Sequence, residues 1–240
     1  MIDREAPRKR PNRKAIGYQS WRELLFLHWR VDPAVLAQLI PADLELDLWE
    51  GQALVGIVPF SMREVRPWWA PRLLGFNFLE TNLRVYVTHR GEPGVFFFSL
   101  EAASYIAVQT AKFGWSLPYF YARMSQSLYN GHIHYSSQRL SSDSPELEVH
   151  YRVGPAMATA DPNSLEFFLL ERYLLFTERH GKILRGQVHH KPYPICQAEV
   201  LELTQTLTDH INIPIVDPKL YCVHYSPGVD VEIFPLKPCV

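Results

Sequence analysis

Apolar and polar positions alternate with a period of two over much of this chain, the spacing of half-buried β-strands. The clearest case is residues 80–88. There Thr81, Leu83, Val85 and Val87 make one face, and Glu80, Asn82, Arg84 and Tyr86 make the other. Residues 119–124 repeat the pattern, with Tyr119, Tyr121 and Arg123 opposing Phe120, Ala122 and Met124. In residues 183–190, Leu184, Gly186 and Val188 oppose Arg185, Gln187 and His189. The apolar runs at 24–31 and 95–100 read as buried strands. Asn130-Gly131 is the strongest hairpin signal, and His180-Gly181 marks a second turn. A further hairpin is predicted around Glu50-Gly51, joining 44–49 to 53–58, and a turn at Ser226-Pro227-Gly228. Residues 59–77, rich in Pro and aromatics and carrying Trp68 and Trp69, read as a loop.

Three segments have helical character. Asp32-Pro33 opens one that runs to Ile40, because Pro suits a first helical position. Residues 102–113 place Ile106, Thr110 and Phe113 in register before Gly114. After Asn163 or Ser164, either able to cap, Leu165, Phe167, Phe168, Leu169 and Leu170 leave almost no polar face. Only Glu166, Glu171 and Arg172 interrupt that surface, and the chain then enters a β-hairpin. Roughly ten or more strands with about three short helices predict a β-rich α+β fold, its large antiparallel sheet curved or closed into an open barrel.

Composition narrows the class. Apolar residues make up 47% and charged residues 20% of 240 residues, a globular balance. With no internal repeat, residues 17–240 read as a single domain, preceded over 1–16 by a flexible basic arm with Arg8, Lys9, Arg10, Arg13 and Lys14 in solvent. A net charge of -1 and the lack of stacking aromatics beside the arm speak against nucleic acid. No apolar run reaches the roughly 18 residues of a membrane span, and no signal-peptide core is present. Three Cys without CxxC spacing argue against a disulfide scaffold or zinc knuckle and favour the cytoplasm. The sequence leaves open a homo-oligomer.

Three strands carry polar faces, which either meet water or line an interior. In an interior, Glu80 or Glu166 would have to pair with Arg84, Arg123 or Arg185, since an unpaired buried charge is costly. An arginine left over would suit a small carboxylate through its bidentate fork. His132 and His134 share a strand face and with a carboxylate could hold one ion, but they flank a hairpin turn where exposed histidines are ordinary. No metal and no cofactor is assigned. GxSxG, HExxH, GxGxxG and phosphate-binding glycine loops are lacking.

From His28 onward the chain resembles the uncharacterised YqjF-like bacterial family, a domain of unknown function in the acetoacetate decarboxylase-like superfamily. The resemblance rests on HWRVDP (28–33), VGIVPFSMR (55–63), ETNLRVYV (80–87), FFSLEAAS (97–104), LPYFYARM (117–124), SLEFFLLERY (164–173), RGQVHHKPYP (185–194) and HYSPGVDV (224–231). It implies a curved sheet around a central cavity and no established reaction. In acetoacetate decarboxylases a lysine after a Gly-Phe-Pro-like turn forms a Schiff base. The resemblance sets Ser116-Leu117-Pro118 at that turn, Tyr119 and Phe120 at the two lysine positions, and Glu80 at a pocket glutamate. Neither Tyr119 nor Phe120 can make an imine. Lys112 and Lys191 are the nearby lysines that could replace them if they reached the cavity.

The leading expectation is a small-molecule pocket acting as a lyase or isomerase on a small carboxylate or keto acid, without an imine. Arg84 and Arg123 would hold the carboxylate, with Asn82, Tyr86, Glu166 and Arg185 beside them. Glu80 would move the proton, and Tyr119 and His189 would donate to a developing oxyanion. The rival is a non-catalytic ligand-binding or sensory module with the same pocket. A third reading, an interaction protein, puts Trp68 and Trp69 at an interface.

Overall fold

The computed structural model describes residues 2–105, 108–109, 116–215 and 217–239. The first half comprises β1 (Gly17–Val31), α1 (Pro33–Leu39), β2 (Glu45–Leu46), β3 (Ala53–Pro67), β4 (Phe76–His89) and β5 (Glu92–Ala102). Next come β6 (Tyr119–Tyr129), β7 (His132–Arg139) and β8 (Glu146–Ala156). The remainder is α2 (Leu165–Leu170), β9 (Leu174–Arg179), β10 (Lys182–His189), β11 (Cys196–Gln205), α3 (Leu207–His210) and β12 (Cys222–Pro238).

All twelve strands belong to one sheet, ordered β10-β9-β5-β6-β7-β8-β11-β12-β1-β3-β4-β2, with extra pairings β10–β12 and β5–β4. Those extra pairings close the sheet twice. The strands β12, β1, β3, β4 and β5 form a wall common to two rings. One ring is completed by β9 and β10, the other by β6, β7, β8 and β11. The sheet is curved, as expected, and these pairings close it into two joined barrels. It is also mixed rather than purely antiparallel, because β5 runs parallel to both β6 and β9.

A shared wall is buried on both faces, which accounts for its unbroken apolar runs. Leu25, Leu27 and Trp29 of β1 enter one core, while Leu24 and Phe26 enter the other. Neighbours Ile57 and Val58 on β3 divide in the same way. The outer strands β6, β7 and β8 alternate buried and exposed positions, as a one-sided surface requires.

Local signals account for most boundaries. The Asp32 side chain accepts from the Ala34 N–H and caps α1; the Ser164 side chain accepts from the Phe167 N–H and caps α2. Asn130 and Gly131, at φ 49 and 77, make the tight β6–β7 turn.

Several expected elements differ. Residues 226–228 are not a turn but part of β12, where Arg22 faces Gly228 and Leu24 faces Ser226 without a change of register; Glu23, at φ 56, stands where the β1–β3 ladder slips. Gly228, at φ 129, is required there, since a Cβ would fall 2.0 Å from the Trp21 carbonyl. The hairpin at Glu50-Gly51 reduces to a Trp49–Gln52 bridge, and β2 pairs with β4 instead of β3. Much of the predicted 59–77 loop is strand. Pro59 fits inside β3 because the β1–β3 ladder slips between Arg22 and Leu27, so its missing N–H leaves no pairing unmet. Trp68 and Trp69 lie in the connection that remains and are exposed. Half of the helix expected over 102–113, including Lys112, lies outside the described residues.

The basic arm is not free in solvent. Arg4 pairs with buried Asp47, Arg10 with Glu232, and the Gln187 amide donates to the Pro7 carbonyl. The Arg8 guanidinium lies 5.5 Å from the centre of the Phe167 ring. The arm thus covers the outer face of β10, one of the polar faces read as wet or interior.

Candidate functional site

The ring completed by β9 and β10 holds a cavity of about 430 Å³. Most of its wall is apolar, including Trp21, Leu24, Phe60, Met62, Phe78 and Val188. Against that wall stand Glu80, Asn82 and Arg84 from β4, Tyr119 from the start of β6, and Arg172 from the segment after α2.

Glu80 is 2% exposed, and the Tyr119 hydroxyl donates to its Oε2 at 2.8 Å. Burial pushes the Glu80 carboxyl up to about 8; the Tyr119 hydrogen bond opposes the rise and the Glu101 charge adds to it. At neutral pH the carboxyl is therefore mostly protonated. Burial, with the charge of Glu80, also drives the Tyr119 phenol well above its ordinary range, so it stays a donor.

Arg84 Nη2 donates to the Leu169 carbonyl at 2.9 Å and to the Tyr86 hydroxyl at 3.2 Å. Among the described residues it has no carboxylate partner within ion-pair distance. Arg172 Nε donates to the Phe168 carbonyl at 2.5 Å, and its Nη1 to Asp47 at 2.7 Å. Burial lowers the Arg172 pKa, with Asp47 opposing. The two guanidiniums stand 5.5 and 5.0 Å from the Tyr86 ring centre.

Asn82 Oδ1, Arg84 Nε and Arg172 Nη2, on side chains of this wall, have no hydrogen-bond partner among the described residues. Buried groups are normally satisfied, and each lapse costs free energy. Charge points the same way. Asp47 answers Arg172 and Arg4, Glu80 is mostly neutral at pH 7, and no carboxylate among the described residues answers Arg84. The cavity is electropositive at its polar end.

Of the residues expected at a site, the structure brings Glu80, Asn82, Arg84 and Tyr119 to one cavity, with Tyr86 directly behind Arg84. The others lie elsewhere. Arg123 is exposed, since β6 pairs with β5 only from Tyr119 to Tyr121 and then follows β7 across the outside. Arg185 pairs with Glu92 on the outer face of β10. His189 is on that face too, its Nδ1 3.1 Å from the Arg8 carbonyl beneath the arm. Glu166 lies 3.5 Å from His224 and does not line the cavity. Exposed Lys191 edges a separate open recess. The His134 ring lies tilted against His150, centroids 4.1 Å apart, across the β7–β8 ladder instead of acting with His132. Sequence reasoning missed Arg172 and Asp47 as site residues, although Glu171-Arg172 directly after four buried apolar positions was a signal.

Residues 18–230 match DUF2071, a family described as an uncharacterized conserved protein. The chain belongs to this family. It is 39% identical over 222 residues to the uncharacterized protein YqjF of Bacillus subtilis (strain 168), covering 91% of this chain and 90% of that one. Among solved structures, the enduracididine biosynthesis enzyme MppR complexed with pyruvate superposes with a TM-score of 0.67 at 10% identity, over 96% of this chain and 93% of that one. Acetoacetate decarboxylase from Legionella pneumophila gives 0.66 at 15% identity, over 98% and 94%. An acetoacetate decarboxylase-like enzyme from Sphingomonas wittichii RW1 gives 0.62 at 13%, over 95% and 94%. The DUF2071 chain thus has the acetoacetate decarboxylase-like fold.

Proposed function

We propose that the cavity of this DUF2071 protein binds a small carboxylate, most simply a 2-keto acid, and moves a proton on it as a lyase or isomerase without an imine. The observation that carries the reading is the pair of arginines, Arg84 and Arg172, that line the same cavity as the Glu80–Tyr119 pair and each keep a guanidinium N–H without a partner among the described residues. A bound carboxylate answers both the open donors and the uncompensated charge of Arg84. Asn82 Oδ1 remains to accept from a substrate hydroxyl or hydrate. The volume suits a ligand of metabolite size. The pyruvate complex of MppR, of the same fold, supports a keto acid as the ligand.

The chemistry follows from the charges. With the carboxylate held by the arginines, ionised Glu80 takes a proton from the carbon next to the carbonyl, and the electron pair moves onto the carbonyl oxygen. The Tyr119 hydroxyl, which donates to Glu80 in the free protein, would turn its proton to that enolate. Among the described residues that line the cavity there is no lysine, which supports a route without an imine.

Isothermal titration with pyruvate and longer 2-keto acids, followed by proton NMR of their exchange in deuterated water, tests this. Arg84→Met should weaken binding at least about tenfold, roughly 1.4 kcal/mol. Glu80→Gln should keep binding and abolish exchange. For the wild type, kcat/KM for exchange should rise with pH and level off above about 8, where Glu80 is ionised. Binding without exchange would leave a ligand-binding module; no binding of any member would remove the carboxylate reading.

A further inference from the structure

Away from the cavity, β1 and β12 bring two histidines and a cysteine together. His28 faces Cys222 across the ladder, and His224 faces Phe26 two positions further on, so all three side chains share a face. One donor atom from each lies within 4.8 Å of the others. Gly56 on β3, opposite His28, leaves room for the imidazole: a Cβ there would lie 3.0 Å from Nε2.

The hydrogen bonds fix which nitrogen of each ring is free. With the Tyr86 proton assigned to the Leu169 carbonyl at 3.0 Å, the hydroxyl accepts from His28 Nε2, 2.7 Å away. His28 then carries its proton on Nε2 and a bare lone pair on Nδ1. His224 Nε2 lies 3.5 Å from the Glu166 carboxylate, also an acceptor, which puts the His224 lone pair on Nδ1. Both Nδ1 atoms are buried without a hydrogen-bond partner among the described residues. A histidine that merely fills a core satisfies both nitrogens. A histidine that ligates a metal has its outer N–H held by a carboxylate or similar acceptor and its inner nitrogen bare. Two adjacent histidines here show the second pattern, with a thiol between them.

We propose that His28, His224 and Cys222 form a binding site for a divalent ion of the zinc type. Two imidazoles and a thiolate favour zinc over magnesium or calcium, which take oxygen ligands. Three protein ligands leave a fourth tetrahedral position for water. Cys222 is half-buried and the Glu166 side chain 27% exposed, which gives an ion a way in. On binding, the Cys222 S–H bond breaks, sulfur keeps the electron pair and bonds the ion, and one proton passes to solvent.

The test uses the full chain, stripped with a chelator and titrated with cobalt(II), then zinc. Expected are one cobalt per chain, tetrahedral d–d absorption with a thiolate-to-cobalt charge-transfer band, and displacement by zinc. Cys222→Ser should abolish the charge-transfer band, and His224→Asn should weaken affinity more than about tenfold. His134→Ala, in the exposed cluster with Glu148 and His150, should leave both readouts intact. The wild-type spectrum stands even if a variant folds poorly. No cobalt uptake, uptake without the charge-transfer band, or binding lost in His134→Ala but kept in Cys222→Ser would overturn the proposal.

Discussion

Glu80 shows how one buried side chain ties stability to chemistry. Its carboxyl titrates near 8 in the folded chain, against about 4.5 for an ordinary glutamate, because burial penalises the charged form. Between those values the folded chain holds a proton that the unfolded chain has released. Stability from this residue is therefore full below about pH 4.5 and is lost as pH rises towards 8, with a slope on the order of 1.4 kcal/mol per pH unit at most. Glu80→Gln keeps an acceptor for Tyr119 and cannot ionise. It should be close to wild type at pH 5 and more stable by a few kcal/mol, in order of magnitude, at pH 8.5. Urea melts at the two pH values measure this, and equal stability of both proteins at pH 8.5 would refute a neutral Glu80. The alternation of β4 made the shared face of Glu80, Asn82, Arg84 and Tyr86 readable in the sequence. Whether that face was wet was not readable, because a period of two does not report what lies opposite it.

At the scale of elements, α2 and the segment after it convert a buried helix end into part of the site. Carbonyls left open at the end of α2, those of Phe168 and Leu169, accept from Arg172 and Arg84. Asp47, beside β2, then anchors Arg172, and Arg4 of the N-terminal arm reaches the other oxygen of the same carboxylate. The arm is therefore coupled to the cavity through one residue, and its basic side chains should differ in weight. Arg4→Ala removes a partner from a carboxylate that is 1% exposed and should cost about 1–2 kcal/mol. Arg10→Ala breaks a pair in solvent with Glu232 and should leave the melting temperature within scatter. Thermal melts of the two variants decide it, and equal losses would mean that the arm is held by something other than Asp47. Composition suggested a solvated arm because a basic run carries no mark of the buried aspartate it will meet. Arg123 was misjudged for a related reason: it shares a strand face with Tyr119, but β6 leaves the wall between them, turning one face from inside to outside. That departure is topology, which alternation does not encode.

For the whole molecule, the common wall gives each residue of a central strand a choice between two interiors, and neighbours in sequence serve different ends. Ile57 is fully buried in the core of the larger ring, whereas Val58 lines the cavity of the smaller one. Ile57→Ala leaves a void among close-packed neighbours and should cost about 2–5 kcal/mol. Val58 already borders empty space and has fewer contacts to lose, so Val58→Ala should cost less, about 1–2 kcal/mol. Its effect should fall on the ligand: with a larger cavity, preference among 2-keto acids should move towards longer side chains, while Ile57→Ala keeps the wild-type ranking. Urea unfolding and a chain-length series of keto acids measure the two effects separately. Both variants should still unfold in one transition, since neither ring can close without the shared strands. A ranking changed equally by both substitutions would mean that the wall does not divide packing from binding, and that the two interiors behave as one.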